Sequence, residues 1–141
     1  MSKVHEKIQV HLYHDDAVTG TRSFLVLRRP PNRGGFWQPV TGNLTPGESA
    51  ESGAMREIWE ETGLEAVHNL EPVGEFTFEN RGKQFHEKIF VGAVDSRKIK
   101  LCPEHDEFRW SPYVNAREMI HFESNRNGLD QAASLLARKD M

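Results

Sequence analysis

Three glutamates near the middle of the chain have the spacing to act together at one chemical site. Glu57, Glu60 and Glu61 lie in residues 50–62, a segment that is rich in helix-forming residues and is followed by Gly63. On a helix of about 100° per residue, Glu60 and Glu61 flank Glu57 at i+3 and i+4, so the three carboxylates converge on one patch. Like charges placed this way repel each other, and the C-terminal end of a helix disfavours anions. A hard dication, Mg²⁺ or Mn²⁺, coordinated by the carboxylate oxygens would compensate for both effects.

The alternative is an ordinary solvated helix face, but such faces usually interleave lysine or arginine with their acids. Between Glu48 and Glu61 the chain has five acids and a single base, Arg56. Residues 22–33 show the opposite bias, with four arginines and no acid. The four are Arg22, Arg28, Arg29 and Arg33. A concentrated acidic segment and a concentrated basic one suit a divalent cation that lies beside a phosphorylated ligand.

The length and composition predict the setting of these segments. The chain has 141 residues, which suits a single domain over residues 1–141 and leaves no room for an added DNA-binding domain. No apolar stretch approaches the ~18 residues of a membrane span. The N-terminus has no apolar secretory segment, so we expect a cytoplasmic protein without a membrane anchor. The single cysteine, Cys102, excludes an intrachain disulfide and a cysteine-based zinc cluster.

Strand-like and helix-like segments alternate along the chain, which predicts one α/β domain with a mixed sheet. Apolar runs predict strands over residues 7–13, 23–28, 36–41, 73–78, 85–94 and 107–110. Helices are predicted over residues 50–62, 113–120 and from 128 or 129 to 138.

Periodicity also predicts which side chains face the core. The apolar stripe of the first helix, which should face the core, comprises Ala54, Met55, Ile58 and Trp59. Four phenylalanines fit core positions in the strands, namely Phe76, Phe78, Phe85 and Phe90. His11, which alternates with apolar neighbours, fits the surface or a cavity wall.

The acidic segment belongs to a longer pattern with fixed spacing. Gly42 is followed by five residues, Glu48, seven residues and then Arg56-Glu57-Ile58-Trp59-Glu60-Glu61-Thr62-Gly63-Leu64. This pattern, residues 42–64, resembles the Nudix box of the Nudix hydrolase superfamily at every defining position. The resemblance implies a Nudix α/β/α sandwich with a mixed sheet. It also implies metal-dependent hydrolysis of a nucleoside diphosphate that is linked to another moiety.

Carried over position by position, the resemblance implies a metal site and a structural ion pair. The implied metal ligands are the carbonyl of Gly42 and the carboxylates of Glu57, Glu60 and Glu61. Glu48 and Arg56 match the internal ion pair that fixes the loop against the helix. The carboxylates can bind metal or take a proton from water, and the sequence does not assign the base to one of them.

A fourth acid is expected in the loop before the last strand. Glu104 matches in position a fourth acidic ligand or base that is found in several family members. Asp106 and Glu107 are close competitors for that role. The alternative for Glu104 is an exposed loop acid without a function.

Basic and aromatic residues before the box are the candidates for substrate binding. Arg28 and Arg29 end the second predicted strand, near where Nudix enzymes bring basic residues to substrate phosphates, and guanidinium groups suit phosphate contacts. Residues 36–42, Phe-Trp-Gln-Pro-Val-Thr-Gly, resemble a segment of bacterial dihydroneopterin triphosphate pyrophosphatases. Gln38 is then expected to hydrogen-bond a base or pterin edge and Trp37 to pack under it. Core packing is the alternative for Trp37.

The predicted activity combines these features. We expect a pyrophosphohydrolase that converts a nucleoside or pterin triphosphate to the monophosphate and pyrophosphate by attack of water on phosphorus. Mg²⁺ is the expected cofactor, with Mn²⁺ able to substitute. The alternatives are an asymmetric dinucleoside polyphosphate hydrolase of the Ap4A type and a non-catalytic Nudix module that senses a nucleotide. The expected partner is a small nucleotide or pterin polyphosphate; a homodimer is compatible with the resemblance, although the sequence shows no interface signal.

Overall fold

The structure, a computed structural model, describes residues 3–141. Its strands are β1 (Val4–Asp15), β2 (Arg22–Arg28), β3 (Trp37–Gln38), β4 (Val40–Asn43), β5 (His68–Asn80), β6 (Lys83–Ala93) and β7 (Glu107–Ser111). Its helices are α1 (Ala50–Thr62), α2 (Tyr113–Met119) and α3 (Glu123–Lys139), and a 3₁₀ turn covers Pro31–Arg33. The predicted strands and helices are present, but the strand predicted over 36–41 is divided at Pro39, which has no backbone N–H to donate.

The strands form one mixed sheet in which β1 is the central strand. The order is β3-β2-β1-β6-β5, with β4 paired to β1 and β7 paired to β2. β1 runs parallel to β6 and antiparallel to β2 and β4. β2 pairs with β1 only at residues 13–15, so residues 7–10 of β1 pair with β4 instead. This register places Gly42 opposite Ile8 and brings the start of the Nudix box beside the central strand.

Alternating strand residues build one core on each face of the sheet. In β2, Leu25 and Leu27 pack with Ile58 of α1, whereas Phe24 and Val26 pack on the opposite face with residues of α2 and α3. The predicted α/β/α sandwich with a mixed sheet is therefore confirmed. Within residues 3–141, no helix has the length and apolar character needed to cross a membrane.

Helix α1 begins and ends at the predicted residues because both of its ends are capped. The Ser49 hydroxyl accepts a hydrogen bond of 3.1 Å from the Ser52 amide. Gly63 adopts a φ of 75°, a left-handed conformation that ends the helix. These caps fix where the acidic residues stand in the last turn.

The buried face of α1 differs from the predicted stripe. Trp59, which was expected to face the core, is 57% exposed, whereas Glu61 is 2% exposed. At about 100° per residue, Glu61 lies about 20° from Ala54 around the helix axis, and Trp59 lies about 140° from it. The buried side of the helix therefore includes Glu61 together with Ala54 and Ile58, and the prediction for Trp59 is wrong.

A buried polar chain lies under α3. His11 Nε2 is 2.7 Å from Gln9 Oε1, and Gln9 Nε2 donates to Glu87 Oε2 over 2.6 Å. All three side chains are buried, so the expectation that His11 lies at the surface is wrong. A β-carbon on Gly128 would lie 2.1 Å from Gln9 Oε1. Helix α3 begins at Glu123 rather than at 128 or 129, and its first turn includes the buried polar residue Asn125.

Candidate active site

Four carboxylates line a single cleft of about 330 Å³ next to the paired β1 and β4 strands. Glu57, Glu60 and Glu61 come from α1, and Glu104 comes from the loop before β7. Two cationic side chains, Lys7 of β1 and Arg29 just after β2, line the same cleft. The cleft can therefore hold a cation and a polyanion side by side.

Arg56 organises the acidic side of the cleft. Its guanidinium makes two hydrogen bonds to Glu48, with Nε to Oε2 at 2.8 Å and Nη2 to Oε1 at 2.9 Å. Its Nη1 atom also donates to Glu57 at 2.7 Å and to Glu60 at 3.2 Å. Because Arg56 and the amide of Thr45 both donate to Glu48, the pKa of that carboxyl falls to about 2. The pair ties the loop before α1 to the helix.

Gly42 approaches the carboxylate of Glu57 so closely that a side chain at this position would displace that carboxylate. A β-carbon placed on Gly42 would lie 2.2 Å from Cδ and 2.5 Å from Oε1 of Glu57. Its backbone thus lies beside Glu57, and the role of its carbonyl as a metal ligand stays a prediction. This contact gives a physical reason for glycine at the first position of the box.

Glu61 is a buried carboxylate without a partner. Within the described residues, neither of its side-chain oxygens has a hydrogen-bond partner. Burial and the nearby Glu57 carboxylate raise the pKa of Glu61 well above its usual value. An unpartnered buried carboxylate is costly unless something positively charged lies next to it. Its oxygen atoms are donors that suit a hard dication.

The donor set fits a divalent cation, although the ligands are not gathered around one point. In the part of the chain that the structure describes, no group of three histidine, cysteine or acidic side chains is arranged to hold a metal ion. The reason is visible in the contacts of Arg56, which engages Glu57 and Glu60 directly. The three carboxylates that were predicted to converge do line one cleft, but Arg56 contacts Glu57 and Glu60 there.

The two adjacent arginines occupy different places. Arg29 lines the cleft, and its buried Nε atom has no partner among the described residues. Arg28 does not line that cleft; its Nε and Nη2 atoms donate to the two carboxylate oxygens of Asp106 at 2.9 and 2.8 Å. Successive residues of an extended strand point to opposite sides, which separates the pair. Both arginines were predicted to bind substrate phosphates, and of the two only Arg29 lies in the cleft with the glutamates.

The same contact separates the acids that competed for the fourth position. Asp106 is engaged by Arg28, which lowers the pKa of the Asp106 carboxyl. Glu107 lies 3.7 Å from Arg28 and 3.4 Å from Arg109. Among these three loop acids, Glu104 lines the cleft with the Nudix-box glutamates.

Gln38 and Trp37 also divide between two locations. Gln38 lines the cleft but is only 5% exposed, and its Nε2 atom lies 3.0 Å from Nε2 of His105. Trp37 packs at the edge of the core under α2 and α3, with the Arg109 guanidinium 5.4 Å from its ring centre. This position agrees with the core-packing alternative for Trp37.

Sequence reasoning missed three residues of this region. Lys7 reaches the cleft through the register of β1 with β4, and Cys102 also lines it. His105 is 4% exposed, and burial lowers its pKa to about 4, so its ring is neutral at pH 7. The sequence shows Lys7 as a polar residue at an alternating position of a strand. That pattern predicts a residue outside the core but does not predict that it lines a cleft.

An aromatic ladder extends along the β5–β6 hairpin from the side of the cleft. Phe78 stacks on Phe85 with ring centres 4.8 Å apart, and Phe76 lies 5.7 Å from Phe78. The ammonium of Lys7 lies 5.9 Å from the ring centre of Phe85. These three rings are half-buried and belong to neither core, so the core prediction holds for Phe90 alone. The register pairs Phe78 with Phe85 directly, which stacks the rings across the hairpin.

The chain matches the sequence model of the NUDIX domain over residues 13–131 and belongs to that family. It is thus a Nudix hydrolase, of the class that acts on phosphoric anhydride bonds, as the motif predicts. Members of this class generally need a divalent metal ion.

Several known proteins are similar to this chain. The dihydroneopterin triphosphate diphosphatase of Haemophilus influenzae is 27% identical over 90% of this chain and 86% of that protein. The asymmetrical bis(5'-nucleosyl)-tetraphosphatase of Rattus norvegicus is 30% identical over 71% of each protein. An octanoyltransferase of Myxococcus xanthus is 36% identical over 78% of this chain, which spans about a third (32%) of that protein's length. The E. coli dihydroneopterin triphosphate pyrophosphohydrolase structure matches with a TM-score of 0.71, 27% identity, and coverage of 92% of this chain and 97% of that one.

Proposed function

We propose that this chain hydrolyses a nucleoside or pterin triphosphate to the monophosphate and pyrophosphate. The observation that carries this proposal is the cleft in which four carboxylates, one of them buried and unpartnered, lie beside two cationic side chains. Such a cleft suits a substrate whose reacting group is a phosphate chain. The similarity to dihydroneopterin triphosphate diphosphatase supports the triphosphate class.

The proposed metal ligands are the Gly42 carbonyl and the carboxylates of Glu57, Glu60, Glu61 and Glu104. Mg²⁺ is the proposed ion, with Mn²⁺ able to substitute, because both prefer carboxylate and carbonyl oxygens. When bound, such an ion supplies neutralisation of the phosphate oxygens and a lowered pKa for water.

The proposed reaction needs groups that bind the phosphates and one that accepts a proton. Lys7 and Arg29 line the cleft, where their cationic groups can bind phosphate oxygens. The oxygen of water bonds to the α-phosphorus, and the bond from that phosphorus to the bridging oxygen breaks. Pyrophosphate leaves with the electron pair of that bond. The proton released by water passes to a carboxylate of the cleft, with Glu104 and the Nudix-box glutamates as the candidates.

The ring of the substrate has two places to bind near the phosphates. The aromatic ladder begins at Phe85, next to Lys7, and its half-buried rings are candidates for contact with a planar heterocycle. The amide of Gln38 lies at the cleft, where its oxygen can accept a hydrogen bond from a base or pterin. Both contacts suit purines and pterins.

A second candidate function is hydrolysis of a dinucleoside polyphosphate. The specific observation that favours it is the 30% identity to the rat asymmetrical tetraphosphatase over 71% of that protein. The reactive groups in the cleft would be the same. The two functions differ in which products are released.

A panel assay with product identification tests the proposal. Nucleoside triphosphates, dihydroneopterin triphosphate and diadenosine tetraphosphate are each incubated with the protein and Mg²⁺. We expect monophosphate and pyrophosphate from a triphosphate, with turnover lowered by about 100-fold or more in Glu57→Gln and Glu61→Gln. Glu51→Gln, an exposed acid in the first turn of α1, is the matched control and should retain full activity. Wild-type turnover in both cleft variants would refute the assignment; ATP released from diadenosine tetraphosphate, with inert triphosphates, would select the second candidate.

A further inference from the structure

Three buried side chains from separate parts of the chain meet beside the acidic cleft. Gln38 comes from β3, Glu61 from the last turn of α1, and His105 from the loop before β7. Their exposed fractions are 5%, 2% and 4%. The imidazole of His105 lies between the other two, with Nε2 3.0 Å from Gln38 Nε2 and Nδ1 4.0 Å from Glu61 Oε1. The ring therefore connects the segment before the Nudix box with the carboxylate that has no hydrogen-bond partner.

These contacts favour one ring nitrogen of His105 as the site of the proton. The amide nitrogen of Gln38 can only donate hydrogen bonds. Nε2 of His105, which lies 3.0 Å from it, is therefore the acceptor. A neutral imidazole has one N–H group, which is then on Nδ1. The surroundings of Nδ1 agree, since a lone pair there would face the Glu61 carboxylate at 4.0 Å and the Cys102 sulfur at 3.9 Å. A donor at this position is favourable, because a Glu61 oxygen can accept a hydrogen bond whether the carboxyl is protonated or ionised, and the sulfur is a weak acceptor.

We propose that His105 is a positioning residue that Gln38 holds with its Nδ1–H directed at Glu61. The distance of 4.0 Å is longer than a hydrogen bond, and a movement of about 1 Å by either side chain closes it. The N–H group orients the ionised carboxylate of Glu61 and strengthens its binding of a divalent cation. Gln38 thus acts on the cleft through His105, and its amide oxygen remains for the substrate.

This inference rests on the proposed metal site, but its first test does not need the metal. ¹⁵N NMR of the imidazole rings in the metal-free wild type distinguishes a protonated Nδ1 from a protonated Nε2. We expect His105 to carry its proton on Nδ1 at pH 7. In Gln38→Leu, which removes the amide donor, this preference should be weaker, with a measurable share of the Nε2-protonated form. A wild-type ring with its proton on Nε2 overturns the proposal.

Mg²⁺ affinity, measured by calorimetry, supplies the second test. His105→Phe should weaken Mg²⁺ binding about 10- to 100-fold, the usual range for loss of a group that orients a metal ligand. His105→Asn should retain most of the affinity, because the amide nitrogen of asparagine takes roughly the place of Nδ1. His68→Phe, a change at an exposed histidine on β5, is the control and should bind Mg²⁺ as the wild type does.

The two variants separate positioning from a merely structural role. Both lose the contact with Gln38, so equal losses of affinity in His105→Phe and His105→Asn overturn the proposal. Failure of the wild type to hydrolyse any polyphosphate would remove the proposed function, whereas the tautomer of His105 would still be read from the metal-free protein. The two failures are therefore distinguishable.

Discussion

The metal-free protein should lose stability between pH 5 and pH 7, and Glu61→Gln should abolish most of that loss. Burial, together with the nearby Glu57 carboxylate, raises the pKa of Glu61 well above its usual value. In the unfolded chain the same carboxyl ionises near pH ~4.3. Between these two pKa values the folded state holds a proton that the unfolded state has released. The free energy of unfolding therefore falls as the pH rises through this window.

The size of the effect follows from one proton. A single proton difference changes the free energy of unfolding by about 1.4 kcal/mol per pH unit, so the two units give at most about 2 to 3 kcal/mol. The other titratable groups that face Glu61 are Glu57, Cys102 and His105. Burial lowers the pKa of His105 to about 4, so its ring is already neutral at pH 5 and adds little to the slope.

Urea titrations in EDTA at pH 5, 6 and 7 measure this slope. Glu61→Gln keeps the shape of the side chain without a titratable group, and its slope should be smaller by about one proton. Glu65→Gln, a change at an exposed acid just after α1, is the control and should leave the slope as in the wild type. Added Mg²⁺ should flatten the wild-type slope, since a cation stabilises the ionised carboxylate. Identical slopes in the wild type and Glu61→Gln would refute the reasoning.

Two further substitutions test the geometry of the cleft. Gly42→Ala places a β-carbon 2.2 Å from Cδ of Glu57, so this carboxylate must move, and we expect Mg²⁺ affinity to fall about tenfold or more in calorimetry while circular dichroism shows an intact fold. Unchanged affinity would mean that the position of Glu57 is unimportant. Arg29→Ala should raise KM about tenfold or more by removing a phosphate contact, whereas Arg28→Ala, which breaks the pair with Asp106, should change KM less than about twofold. Equal increases in steady-state KM would contradict the separation of the two arginines.

The sequence predicted the parts of the site that depend on local structure. The bounds of α1 follow from its capping residues, and the spacing of Glu57, Glu60 and Glu61 follows from the helix that these caps define. The burial of Glu61 was missed because the neighbouring Trp59 looked like a better core residue than a carboxylate. Side-chain polarity alone does not show that a helix face is covered by a sheet.

The remaining parts of the site depend on contacts between distant segments. Lys7 reaches the cleft only because β1 pairs with β4 in one particular register. Arg28 and Arg29 are adjacent in the sequence, and the partner that separates them, Asp106, is 78 residues away from Arg28. The contact between Gln38 and His105 spans 67 residues. Such pairings follow from the whole sheet, which no local pattern specifies.

The arginine at position 56 affects the electrostatic repulsion among the carboxylates of the cleft. Two nitrogens of its planar guanidinium, Nε and Nη2, donate hydrogen bonds to Glu48. The third nitrogen, Nη1, donates to Glu57 and to Glu60. The guanidinium thus places a positive charge between these carboxylates and offsets their mutual repulsion. A dication bound as proposed would compete with Arg56 for Glu57 and Glu60, whereas the two hydrogen bonds to Glu48 would keep the loop tied to the helix. The single ammonium of a lysine lacks this planar array of donors, so it would not bond to Glu48 with two nitrogens and also contact Glu57 and Glu60.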